Sequence, residues 1–300
     1  MPILVAGSTG FVGSEIALRL SQRKLQTRAL VRGGAEHPEA KRLQDGGLEI
    51  VKGDLTVPAS LAAACQGVDT VVSTVTSMPS GANDGLRRVD HDGTLALIAA
   101  AEHAGVKKFV YVSYSGNIRE DSPLETAKRD CENRLLQGSM QAVILRPSYF
   151  MEAWLSPALG FDPGNGSARI YGSGEAKVSY ISAFDVAAFA VSAITKEHPE
   201  KNTILEMGGP EALSQLDALH IFEQAFGRNV QPEFLPAEAI QEQHRSSSDP
   251  LQKTFAALML TYAKGDAISG ASRLAEEYGM PLRSVAEYAA LLRAQQLSVA

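Results

Sequence analysis

Along the first half of the chain, two textures alternate. Short, nearly continuous apolar and β-branched runs recur at PILVAG (2–7), TRALVR (27–32), LEIVKGD (48–54), DTVVSTV (69–75), KFVYVSYS (108–115) and AVILRP (142–147). Between them lie stretches of helical period such as GSEIALRLSQR, where Val12, Ile16 and Leu20 return every fourth residue. A strand that is apolar on both sides must be covered on both faces, and the intervening helices supply the covers. The pattern predicts a doubly wound α/β fold around a parallel sheet.

After about residue 150 the texture changes. FDPGNGS (161–167) reads as a loop, ARIYGSG and KVSYIS as short strands, and AFDVAAFAVSAIT as a helix. NTILEMGG (202–209) reads as one more buried strand, expected to return to the main sheet. Beyond Leu213 helical patterns dominate, with a polar break at Ser246–Pro250. The expected organisation is a core over 1–150 and a smaller, mixed α/β, mostly helical lobe over 151–300, interleaved through the 202–209 strand.

Composition narrows the function. A formal charge of −6 disfavours nucleic acid, because a phosphate backbone is met by a basic face. No apolar run approaches the ~20 residues of a membrane span, and MPILVAG has no basic leader, so a cytoplasmic protein is expected. Cys65 and Cys131 lie far apart, and the histidines are scattered without ligand spacing or a neighbouring carboxylate cluster. Metal chemistry is not expected.

The chemistry begins at GSTGFVG, where the first strand hands over to the first helix. Gly7, Gly10 and Gly13 suit a tight turn, a close backbone approach to a pyrophosphate and helix-on-strand packing. Gly7, Ser8, Thr9, Gly10, Phe11, Val12 and Gly13 are therefore candidate cofactor-binding residues, with the phosphates at the open helix N-terminus. An NAD-preferring site ends strand two with a carboxylate for the ribose 2′-hydroxyl. Here Arg32 stands in that place and no carboxylate follows until Glu36, which predicts NADP(H) in preference to NAD(H). Asp54 and Leu55 in KGDL fall at the rim of the adenine pocket. Thr74 and Val75 in STVTS fall beneath the ribose and nicotinamide.

Taken together, GSTGFVG with VRG, KGDL, AAAEHAGVKKFVYVS (99–113), AVILRPSYFMEAW (142–154), YISAFDVAAF (180–189) and GGPEALS (208–214) resemble the NmrA-like branch of the atypical short-chain dehydrogenase/reductases. That group includes isoflavone and phenylcoumaran benzylic ether reductase-like proteins and a bacterial NAD(P)H:quinone oxidoreductase type. The resemblance implies an NADP(H)-binding Rossmann core and a C-terminal lobe that forms a substrate cleft over the nicotinamide. It also implies an active-site lysine on the helix after strand five, a position that Lys128 matches. Typical members of the wider superfamily carry a tyrosine four residues before this lysine; here that residue is Leu124.

Carbonyl reduction wants a proton donor beside the forming alkoxide, and Leu124 is none. Lys128 has three readings: a hand on the nicotinamide ribose, a proton donor or acceptor of lowered pKa, or a solvated lysine on a charged helix. Ser113 falls where the sheet opens onto the cofactor, and Ser115 is placed to orient a carbonyl or a water. Tyr114 and Tyr149 are substitutes for the tyrosine, but strand alternation turns Tyr114 away from a face shared by Ser113 and Ser115. Tyr149, Phe150, Met151 and Trp154 read either as the wall of a flat substrate pocket or as core of the second lobe. These features predict an NADPH-dependent oxidoreductase that passes hydride to a small planar electrophile, a quinone or conjugated carbonyl, with no membrane partner. The alternative is a non-catalytic NADP(H) sensor with a protein partner. A nucleotide-sugar epimerase is disfavoured, since that chemistry leans on the missing tyrosine.

Overall fold

A computed structural model describes residues 2–78, 84–197 and 200–299. Six parallel strands come from the first half: β1 (Ile3–Ala6), β2 (Thr27–Val31), β3 (Glu49–Lys52), β4 (Thr70–Ser73), β5 (Lys108–Val112) and β6 (Gln141–Pro147). Their helices are α1 (Phe11–Gln22), α2 (Ala40–Asp45), α3 (Pro58–Cys65), α4 (Thr94–His103) and α5 (Pro123–Gln137). The sheet runs β3-β2-β1-β4-β5-β6, and the strand Asn202–Met207 adds to β6 in parallel register, Asn202 beside Ala142 and Met207 beside Pro147. The fold is a doubly wound Rossmann-type sheet.

Alternation along each strand builds the two layers. Ile3 and Val5 on β1, Val110 and Val112 on β5 and Val143 on β6 face α1 and the helix Ala183–Thr195, meeting Ile16, Leu20, Val186 and Phe189. Leu4, Ala6, Phe109 and Tyr111 face the other way, toward Leu61, Leu97, Ile98 and Leu135 of α3, α4 and α5. Both thiols are free and buried, and burial raises each to a pKa of about 11.

The second lobe has its own core, with Trp154, Tyr171, Tyr180, Phe222 and Tyr262 at its centre. FDPGNGS is not wholly a loop: Phe161–Asp162 pairs antiparallel with Ser167–Ala168 across a turn that ends at Gly166 (φ +88°). Ser167–Tyr171 in turn pairs in parallel with Pro232–Leu235, a strand that the helical pattern of the region had hidden. The polar break at 246–250 separates the helices Ala237–Ser246 and Pro250–Lys264, with Asp249 capping the second through Gln252 N–H (2.7 Å). Among the described residues no helix is long and apolar enough to cross a membrane.

Candidate cofactor and active site

β1 lies between β2 and β4, so the winding reverses there and a crevice opens beyond the carboxyl ends of the strands. The turn after β1 crosses that crevice. Gly7 adopts φ +84°, and a Cβ on it would stand 2.5 Å from Thr74 Oγ1. A Cβ on Gly13 would stand 2.2 Å from Gly7 O, so only glycine lets α1 pack against the turn. Gly10 begins α1 without a side-chain cap, and no acidic residue occupies its first turn. The free N–H groups and the positive end of the helix dipole therefore meet whatever lies in the crevice.

Around this turn the other cofactor candidates take different parts. Ser8 is buried and donates to Leu30 O (3.0 Å), tying the turn to β2. Thr9 and Val12 are half-buried, and Phe11 is 54% exposed with its ring edge-on to Phe184 (5.1 Å). Arg32 is exposed just past β2 and forms no ion pair among the described residues. Asp54 Oδ1 accepts from both Thr56 N–H and Thr56 Oγ1 at 2.8 Å, so this oxygen helps to close the turn that leads into α3. Leu55 lines a shallow pocket of about 180 Å³ whose far wall carries Arg88 and Asp92. Thr74 packs on the glycine turn, its Oγ1 3.5 Å from Gly7 O, and Val75 is buried beside it.

At the other end of the crevice stands Lys128. α5 starts where Ser122 caps Glu125 N–H (3.1 Å) with Pro123 in the first turn, and this puts Lys128 inward. The amine is buried, donates to Val112 O (3.1 Å) and lies 4.9 Å from the Tyr111 ring centre. It is not a solvated lysine. Burial holds its pKa below the ordinary lysine range, with the Asp90 charge opposing that shift. Ser113 is buried nearby in sequence, and its Oγ has no partner among the described residues. The uncapped helix, the glycine cradle, this hydroxyl and an amine with one hydrogen bond among the described residues make a set of donors that fits a dinucleotide.

The pattern along the chain did not point to Asp90. It sits on a π-helical stretch, Leu86–Gly93, a rare geometry that often marks function. Its Oδ2 accepts from Ser77 N–H (2.8 Å) and Ser77 Oγ (2.6 Å), while Oδ1 is buried without a partner among the described residues. The next residue corrects the expectation of scattered histidines. His91 lies between Asp92 (2.6 Å) and Asp130 (3.0 Å); its partial burial lowers the pKa, but the two carboxylates outweigh this and raise it. The expectation had placed no such cluster because Asp130 is distant in sequence. His198 lies outside the described residues.

Ser115 does not present its hydroxyl to a substrate. It is fully buried and donates to Asp266 Oδ1 (2.7 Å), which also accepts from Asn117 Nδ2 (2.8 Å); Asp266 Oδ2 accepts from Ser148 Oγ (2.8 Å). This clasp fastens the second lobe to the ends of β5 and β6. A neighbouring network holds the same loop from the other side. Arg129 donates to Ser115 O (2.8 Å) and pairs with the buried Glu132, which also binds Arg146, and Arg146 reaches Glu206 (3.0 Å). Tyr149, Met151 and Trp154 belong to the core of the second lobe, the second of the two readings their sequence allowed. Tyr149 Oη donates to Leu258 O (2.9 Å), and its ring meets Trp154 edge-on at 4.7 Å. Phe150 alone of the four is half-exposed, and it packs against the α1 layer.

Sheet, switch point and glycine turn together define a Rossmann-type dinucleotide-binding protein. The chain belongs to the NmrA-like family, whose model matches residues 1–285. It is 32% identical over 297 residues to the NAD(P)H azoreductase of Xenophilus azovorans, covering 96% of each chain. It is 31% identical over 243 residues to the photosystem II assembly factor Ycf39 of Trieres chinensis, covering 79% of this chain and 72% of that one. Among solved structures it resembles the NADPH-dependent quinone oxidoreductase of Escherichia coli complexed with NADPH, with a TM-score of 0.80 at 22% identity over 97% of this chain and 99% of that one.

Proposed function

We propose that the protein is an NADPH-dependent reductase that passes hydride to a small planar electrophile, a quinone or conjugated carbonyl. The observation that carries this reading is the buried Lys128 amine and the unpartnered Ser113 hydroxyl standing across the crevice from the glycine turn. The kinship with an azoreductase supports the reductase class.

When bound, the reduced nicotinamide supplies the hydride; the protein binds, orients and excludes water. The glycine turn and the α1 N-terminus hold the pyrophosphate, Arg32 the 2′-phosphate, and Leu55 the adenine. Lys128 and Ser113 would hold the nicotinamide ribose, with Thr74 and Val75 lining the same end of the site. Leu124 is buried and apolar at the position of the usual relay tyrosine. An acceptor whose reduced anion is already delocalised suits such a site, because water can protonate it.

The same absence, with kinship to an assembly factor, favours one second reading: a sensor of NADP(H) for a protein partner. NADPH oxidation against a panel of quinones, enones and azo compounds separates the two. Turnover of any of them establishes the reductase; tight NADPH binding with a silent panel transfers the case to the sensor. Lys128→Met is expected to weaken NADPH binding about tenfold while holding or raising Tm, because the buried amine opposes folding and serves the ligand. Unchanged NADPH affinity in that variant would remove Lys128 from the site.

A further inference from the structure

Beyond the carboxyl ends of the strands an apolar cluster faces the second lobe. Tyr114 and Ile118 enter it from the loop after β5, Leu86 from the π-helical stretch and Leu124 from α5, and Met78 packs against it from the segment after β4. They stand on the carboxyl-end side of the strands, the side on which a switch-point crevice receives its ligand. In this cluster the hydroxyls of Tyr149, Tyr171, Tyr180 and Tyr262 all have protein partners. The Tyr114 hydroxyl is buried and has none among the described residues. The Tyr111 hydroxyl lies beside Cys131 in the cluster on the other face of the sheet.

A buried hydroxyl without an acceptor is costly unless a ligand supplies one. The Arg129 guanidinium covers the ring of Tyr114 (4.9 Å) and donates to its backbone carbonyl (3.4 Å), so the side chain is held in place. Strand alternation turns Tyr114 away only from an open face shared by Ser113 and Ser115, and Ser115 is instead turned to Asp266. Tyr114 also sits in the same cluster as Leu124, the residue in place of the relay tyrosine.

We propose that the Tyr114 hydroxyl donates a hydrogen bond to the carbonyl oxygen of the acceptor, which makes the substrate class one with an oxygen at the end of the conjugated path. The proposal rests on the reductase reading above. In the step, the hydride pair forms a new C–H bond on the conjugated carbonyl, the π electrons move onto its oxygen, and the bound NADPH is oxidised to NADP⁺. The oxyanion accepts from Tyr114 and takes its proton from water. Burial keeps the phenol well above the ordinary tyrosine pKa, with Arg129 opposing, so it remains a neutral donor.

The test is Tyr114→Phe, which removes one oxygen and keeps the ring under Arg129. NADPH consumption is measured with an enone or quinone and with a triarylmethyl dye cation, a hydride acceptor that needs no proton and bears no oxygen at the reacting carbon. The expected result is a fall in kcat of about a hundredfold with the carbonyl acceptor and at most about threefold with the dye, with NADPH affinity by fluorescence unchanged. Equal losses on both acceptors, or no loss on either, overturn the proposal. If the native protein reduces nothing, the reductase reading fails by itself. The tyrosine is then judged on binding of a hydroquinone to the NADP⁺-loaded protein: about tenfold weaker binding in Tyr114→Phe supports the contact, and equal binding overturns it.

Discussion

The glycine turn at Gly7–Gly13 and the segment from Ser113 to Lys128 close the same crevice from two sides, yet they are built by different physics. In the turn, the backbone forms the site: a positive φ at Gly7 and a close approach at Gly13 are needed whatever the neighbours are. In the second segment, side chains are assigned by partners far along the chain. Asp266 takes Ser115 and Asn117, and Val112 O takes Lys128. A backbone site is written in adjacent residues, whereas a side-chain site is completed by whatever the fold delivers.

That contrast can be broken at its strongest point first. Gly13→Ala improves helix propensity and would stabilise an ordinary helix by about 1 kcal/mol. Here the added carbon meets Gly7 O, so a loss of NADPH affinity on the order of a hundredfold is expected together with a lower Tm. Titration by nicotinamide fluorescence reads it; retained affinity would mean that the turn does not depend on glycine. Next in size is Asp266→Ala, which leaves the buried Ser115 hydroxyl without its acceptor and reduces Ser148 to its 3.4 Å bond with the backbone oxygen of residue 266. A loss of about 3 kcal/mol in denaturant unfolding is expected, and Asp266→Asn should lose less because it keeps an acceptor oxygen. Equal stability of native and alanine proteins would show that the clasp does not hold the lobes.

Arg32→Glu tests a side chain within the backbone-built half. An NADPH over NADH preference of about tenfold or more should disappear or invert, since each ~1.4 kcal/mol is tenfold; a variant that keeps its preference would take the 2′-phosphate elsewhere. The smallest effect concerns His91. Its pKa is raised in the folded protein, so its contribution is fully present below the unfolded value and is lost as pH rises through the folded one. His91→Gln should therefore lower Tm by about 1–2 °C at pH 5.5 and by less at pH 8.5. A pH-independent difference would show that the two carboxylates do not hold the imidazolium.

Most of the layered fold was legible because it rests on short-range pattern. The six strands of the first half and the helix Ala183–Thr195 follow from apolar runs and their period. The short strands Phe161–Asp162 and Pro232–Leu235 were not, since each gains its identity only by pairing with Ser167–Tyr171. The aromatic stretch after β6 looked alike under both of its readings. Burial of Tyr149, Met151 and Trp154 against Tyr171 and Tyr262 chose between them, and no residue near 150 signals those partners.

The sequence by itself determined the parallel sheet, the glycine turn, Arg32 at the end of β2 and the absence of a tyrosine before Lys128, because each is a property of residues close together in the chain. Only the tertiary structure decided that Ser115 serves a clasp, that Lys128 is buried, that Asp90 reaches Ser77, and that Tyr114 keeps a hydroxyl without a partner. The reason is the range of the interactions. Backbone geometry and periodicity are settled locally, but the partner of a buried polar group comes from wherever the fold brings an acceptor, here up to 151 residues away.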